Sequence, residues 1–238
     1  MSSHRLLTFI TAATIVGASG HAFVLRTAVA ADAAASDVTV PQSALNSLIG
    51  EPDRHFHQAA DLYVKGDASG AASEIQAAAA LIRMEAARGA AEGAAKLQST
   101  ATSLDTTAQD VVNGNLASRR DLELAFARAD LALAAHYRAM ADKALAAKDR
   151  VAAGRWLKAA GDAVDEAAAW TGQSPSGAQA EAWDQMHALQ AKLRTSANWS
   201  YDEARKSVGY LGSQIQYLGA QMHNFGSPGA NNTPSGTP

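Results

Sequence analysis

Apolar residues recur three and four apart over unusually long stretches of this chain. That spacing lays one apolar stripe along a helix and admits little besides packed helices. One series runs Ile75, Ala79, Ile82, Ala86, Ala90, Leu97, Ala101, Leu104, Ala108, Val111. A second runs Leu122, Phe126, Ala129, Leu133, His136, Met140, and a third Ala204, Val208, Leu211, Ile215, Leu218, Met222. The expected fold is all-α: an antiparallel bundle of four to five helices, some very long. Alanine supplies much of the 47% hydrophobic content. Alanine buries little area, so such a core depends on helix length and close approach rather than on large side chains.

Boundaries follow from caps and breakers. A first helix should start near Pro52 or Asp53 and end at Lys65-Gly66-Asp67, where Gly suits a C-terminal cap and Asp the next N-cap. A second is expected from Ala68 to Val112, stopped by Asn113-Gly114-Asn115. Gly89 and Gly93 weaken its middle by roughly 1 kcal/mol each against Ala. The stripe keeps phase across them, which predicts one unbroken helix of about 67 Å. Ser118 caps a third helix that runs to about Ala147, and Lys148-Asp149 turns the chain into a fourth that ends at Trp170. Residues 171–177 form a loop. The last helical region covers 178–225, and the capping box Ser200-Tyr201-Asp202-Glu203 suggests a break near Asn198; a single kinked helix is the alternative.

The N-terminus has the three parts of a secretory signal: the weakly basic His4 and Arg5, the apolar run from Leu6 to Val16, and small residues at Ala28-Val29-Ala30. Residues 1–30 are therefore read as a signal peptide cut before Ala31. A cut after Ala22 is the second choice, and an uncleaved anchor the third. No later segment offers the ~20 apolar residues of a stable membrane span. Residues 31–40 read as a flexible leader, 41–225 as the helical domain and 226–238 as a disordered tail. The expected location is periplasmic or secreted. Cysteine is absent, so an exported chain must fold on packing alone, and thiol chemistry and iron–sulfur clusters are excluded. Without the first thirty residues, 18 Lys and Arg face 23 Asp and Glu. That mildly acidic balance argues against nucleic acid as a partner.

Residues 59–87 lie over 141–169 without gaps: Asp67 meets Asp149, Ala71 meets Ala153, Ile75 meets Leu157 and Ile82 meets Val164. This suggests an internal duplication of a helical hairpin; chance alignment of Ala-rich sequence is the competing explanation. The corner Ala59-Ala60-Asp61-Leu62-Tyr63-Val64-Lys65-Gly66-Asp67, followed by Ala71, Ala72 and Ile75, resembles the helix–turn–helix corner of tetratricopeptide-like repeats. It is also similar to exported YfdX-type helical proteins. The tetratricopeptide Trp and Pro positions are missing. The resemblance implies an interaction or stress-related periplasmic role and carries over no functional residues.

Chemistry is sparse. His55 and His57 are two apart, so on a helix they point about 200° apart and share no ligand; near a helix start they read as solvent-exposed. His136 falls on an apolar stripe with Met140 one turn on. An imidazole and a thioether at that spacing could take a soft copper ion. The alternative is a buried His136 paired with a carboxylate such as Glu85, because buried polar groups need partners. Met186 and Met222 read as core fillers. Asp184-Gln185-Met186-His187 is the single approach to a di-iron motif and stands alone. Trp156, Trp170, Trp183 and Trp199 read as packing. No catalytic or cofactor-binding residues are assigned, no cofactor is expected, and His136 and Met140 are the only metal candidates. The sequence thus points to an exported, non-enzymatic interaction or structural protein, chaperone-like or stress-protective, binding a protein partner or itself. A copper or small-ligand binding bundle centred on His136 is the alternative.

Overall fold

The computed structural model describes residues 48–88, 91–173, 178–194 and 198–225. The expected signal peptide, leader and tail lie outside the described residues. Those residues form seven helices and no strand: α1 (Glu51–Val64), α2 (Ala68–Arg88), α3 (Ala91–Asn113), α4 (Arg119–Ala146), α5 (Arg150–Thr171), α6 (Ala178–Arg194) and α7 (Tyr201–Phe225). The all-α bundle stands. The expected count of four to five helices does not.

The largest correction is at the second helix. Its outer limits hold, but it divides into α2 and α3, which pack against each other. Arg83 and Asp105, 22 residues apart, form an ion pair across them. On one straight helix they would stand about 33 Å apart. The unbroken stripe misled for a physical reason. Ile75, Ala79 and Ile82 on α2, and Leu97, Ala101 and Leu104 on α3, are all buried. Each arm of the hairpin turns its own stripe to one core, so the phase survives a reversal. The glycine pair signalled the break that the phase concealed.

Elsewhere local chemistry sets the ends as expected. Gly50 precedes α1 with φ 85°, and Pro52 occupies its first turn. The Ser118 hydroxyl accepts from the Asp121 N–H at the start of α4, and the Asp149 carboxylate from the Ala152 N–H at the start of α5. Between α6 and α7 the capping box forms in full. Glu203 N–H donates to Ser200 Oγ at 3.0 Å, and Ser200 N–H to the Glu203 carboxylate at 2.6 Å. The last helical region is therefore two helices rather than one kinked helix.

The two proposed hairpin copies have matching corners. After α1, the N–H groups of Lys65, Gly66 and Asp67 donate to the carbonyls of Asp61, Tyr63 and Leu62. After α4, Ala147, Lys148 and Asp149 donate to Lys143, Leu145 and Ala144, the aligned positions. Gly66 has φ 80°, and its counterpart Lys148, φ 57°, is the one non-glycine at positive φ among the described residues. Asp67 and Asp149 then cap the next helix in the same way.

Helix α4 is central and packs against α1, α3, α5 and α7. Alanines at its contacts, such as Ala127, Ala129, Ala134 and Ala141, are fully buried. Larger side chains fill the gaps that remain, with Phe56 of α1 stacked on Phe126 of α4 at 4.6 Å. Glycine extends the same close packing. A side chain at Gly161 would collide with Gln190 of α6, and one at Gly212 of α7 would press on Arg138 of α4. No described helix is long and apolar enough to cross a membrane.

Candidate functional site

His136 is buried, at 3% exposure, and its Nε2 stands 3.6 Å from the Glu85 carboxylate of α2. The two atoms face each other as expected from sequence, but they stand beyond hydrogen-bond reach and neither has another partner, so the expected hydrogen bond is not formed. The other Glu85 oxygen accepts a 2.7 Å hydrogen bond from Arg88. Gly93 of α3 leaves room on the Nδ1 side, where a Cβ would lie 3.1 Å from the ring nitrogen. Trp156 of α5 carries Arg88 over its face at 5.4 Å and stacks with Tyr137 at 5.7 Å. Burial, then the nearby Glu85 charge, raise the Tyr137 phenol and keep it protonated. Met140 is half-buried against the core. Among the described residues no three His, Asp or Glu side chains are grouped to hold a metal.

A second polar cluster was missed in the sequence. Asp130 of α4 is completely buried. Its carboxyl faces Asp53 of α1 and the Trp170 indole of α5. Neither Asp130 oxygen, nor the Trp170 Nε1, reaches a hydrogen-bond partner. Burial first, and then the Asp53 charge, push Asp130 well above the usual carboxylate range. Burial also pushes half-buried Asp53 up to about 6, with Glu166 and Asp162 adding to the rise and Asp130 and His57 opposing it. Two facing carboxyls in a poorly solvated site cannot both ionise cheaply, so the pair holds a proton and titrates as a unit. Asp130 sits one turn after Phe126 on the buried side of α4. The stripe had been drawn through its neighbour Ala129, but a central helix is buried nearly all round.

Three further histidines pair with carboxylates, and His223 lines the surface groove. His55 is half-buried rather than exposed and meets Glu74 at 2.5 Å. His57 is exposed, meets Glu166 at 3.0 Å and lies against the Trp170 ring at 4.6 Å. His187 meets Asp165 at 2.8 Å, so its resemblance to a di-iron ligand ends in an ion pair. Met186 and Met222 are core residues, and Trp156, Trp170 and Trp199 are buried packing residues.

The surface contributes a groove of about 600 Å³ between α3, α4 and α7. Leu104, Leu131, Ile215 and Met222 give it an apolar floor. Lys96 and Arg128 stand at its margins, and no Asp or Glu lines it. Ser99, Thr100, Ser103 and Thr107 of α3 form one wall. This also explains why Ile215 is only half-buried although it continues the α7 stripe. The periodic Ser and Thr positions were the sequence signal for the groove. They could not be read as a wall while 68–112 was taken as one rod.

The two buried clusters can store charge and a proton, but solvent does not reach Asp130. The groove can bind. Comparisons with family models, curated proteins and solved structures return no match to this chain.

Proposed function

We propose that this chain is an exported, non-enzymatic interaction protein with a stress-protective or chaperone-like role in the periplasm. One observation carries the reading. Asp130 and Tyr137, both pushed strongly upward, are sealed between helices, while the open groove between α3, α4 and α7 offers alkyl groups, a hydroxyl-lined wall and cations. A catalytic acid or base must reach the proton it transfers, and a binding surface needs only shape and complementary charge. The periplasmic location rests on the signal-like first thirty residues and the absence of cysteine. The matching corners of α1–α2 and α4–α5 support descent of both hairpins from one duplicated unit.

The test is fractionation of cells that express the full chain. The expected result is recovery in the periplasm with Ala31 as the first residue. Cytoplasmic recovery with Met1 in place would overturn the export reading. The mature protein is then cross-linked in periplasmic extract, beside a Gly219→Leu variant that fills the groove. Adducts lost in the variant support the groove as the working surface, and an unchanged pattern would refute that.

A further inference from the structure

The groove specifies the chemistry of its occupant. Its floor is apolar, its charged lining residues include no carboxylate, and the chain as a whole carries more acid than base. Arg83, Arg88, Arg119, Lys158 and Lys192 each pair with a carboxylate. Lys96 and Arg128 do not, a state they share among the described residues with Lys65, Arg138, Lys143, Lys148 and Lys206, none of which lines the groove. The α3 wall cannot supply that charge. The hydroxyls of Thr100, Ser103 and Thr107 donate back to the carbonyls of Lys96, Ser99 and Ser103 on their own helix. Open charged donors are therefore left on the two cations, beside the Ser99 hydroxyl.

Gly219 gives a second, independent observation. It lies inside α7, where glycine costs roughly 1 kcal/mol against alanine. Gly93, Gly154, Gly161 and Gly212 each make room for a neighbouring side chain. A Cβ at Gly219 would meet nothing within 4 Å, yet Gly219 lines the groove. Gly209 is equally open but lies on the exposed surface outside it. The hollow at Gly219 is thus kept clear of every group in the described chain. From Lys96 to Thr107 the α3 wall runs about 16 Å at 1.5 Å per residue, and the groove volume falls within the range of small-ligand sites.

The geometry points to a single-chain amphiphilic anion as the occupant, its alkyl body on Leu104, Leu131, Ile215 and Met222 and its anionic head on Arg128 or Lys96. This rests on the reading of the groove as a binding surface and narrows it to one ligand class. It commits to a free amphiphile, not to a membrane surface.

The probe is dodecanoate below its micellar concentration, titrated calorimetrically into the full mature chain. The expected result is saturable one-to-one binding. Arg128→Ala should weaken it about tenfold or more, since a charge-assisted hydrogen bond contributes ~1.5–3 kcal/mol. Gly219→Leu should abolish binding while leaving the melting temperature unchanged or higher, because leucine favours the helix and its Cβ enters open space beside the apolar floor. Dodecyltrimethylammonium, with the same chain and opposite charge, should bind at least tenfold more weakly. Equal binding of both amphiphiles would overturn the anionic class. Binding that survives in Gly219→Leu would place the ligand elsewhere and overturn the site. Attachment to anionic phospholipid vesicles in preference to dodecanoate would overturn the free amphiphile. No binding by the wild type, with Gly219-dependent cross-links still present, would end the ligand proposal and spare the interaction reading.

Discussion

Asp130 and His136 stand less than two turns apart on α4, both buried, and the bundle treats them in opposite ways. His136 faces an acid, Glu85, which a guanidinium, Arg88, also holds. Asp130 faces another acid, Asp53, with no cation bonded to it. The first cluster places one carboxylate between a guanidinium and an imidazole, and its members depend on one another. The second is a set of like groups, and it is tolerable only while it keeps a proton. Burial of a polar group therefore means different things six residues apart: mutual support in one place, a pH-dependent load in the other.

The sharpest way to break this comparison is to delete one member on each side. Glu85→Ala should destabilise the fold by about 3–5 kcal/mol, the range for removing one partner of a buried charged set. His136→Ala should cost less, roughly 1–3 kcal/mol, because Glu85 keeps Arg88. Both are read by urea denaturation at neutral pH. Asp130→Asn should move the other way and raise stability by roughly 1 kcal/mol at pH 7.5, because a neutral amide needs no proton uptake on burial, whereas the unfolded Asp130 is ionised at that pH. If all three variants lost stability alike, the contrast between the clusters would be gone.

A smaller effect sharpens the same contrast. The folded pKa of Asp53 lies above its ordinary value, at about 6 against 3.8. The folded state therefore binds the proton more tightly than the unfolded chain. Its contribution is fully present below about pH 3.8 and is lost as pH rises through about 6. Between pH 7.5 and 5 the wild type should gain roughly 1–2 kcal/mol from this pair, and Asp130 shifts in the same direction. Glu203 works in the opposite sense. Its bond from Lys192 lowers it to about 2, so its contribution fades only in stronger acid. Melts of wild type and Asp130→Asn across pH 5–7.5 separate the pair from every other titrating group: the difference between the two curves should shrink as pH falls. Parallel curves would mean that the two carboxyls do not share a proton.

Much of the fold was legible because its causes are local. Ser118, Asp149 and the Ser200–Glu203 box cap helices with their own side chains, so a few residues fix each end. The juxtaposition of His136 with Glu85 was legible too, since a polar residue on an apolar stripe demands a partner, although the hydrogen bond expected between them is not closed. What escaped was non-local. The reversal between α2 and α3 keeps the stripe in phase. Asp130 looks like a surface residue until α4 is known to be wrapped by four helices. The groove joins α3 and α7, whose nearness no single segment encodes.

The smallest expected effect bears on the metal reading of His136. Copper would need an imidazole nitrogen turned toward the metal and a second ligand such as Met140. Here Nε2 is turned toward Glu85, so the ring would have to leave that neighbour to coordinate through it. That rearrangement breaks the cluster, at the same few kcal/mol that the Glu85 deletion measures. Wild-type melting should therefore not shift on adding copper, and His136→Ala should melt lower than wild type with or without it. The metal reading expects the reverse: equal melting without metal, and a copper-dependent rise in the wild type that vanishes in His136→Ala. That second pattern would make His136 a ligand rather than a packing residue. It would also remove one side of the comparison, because the cluster would then be held together by a metal site rather than by the Glu85 carboxylate.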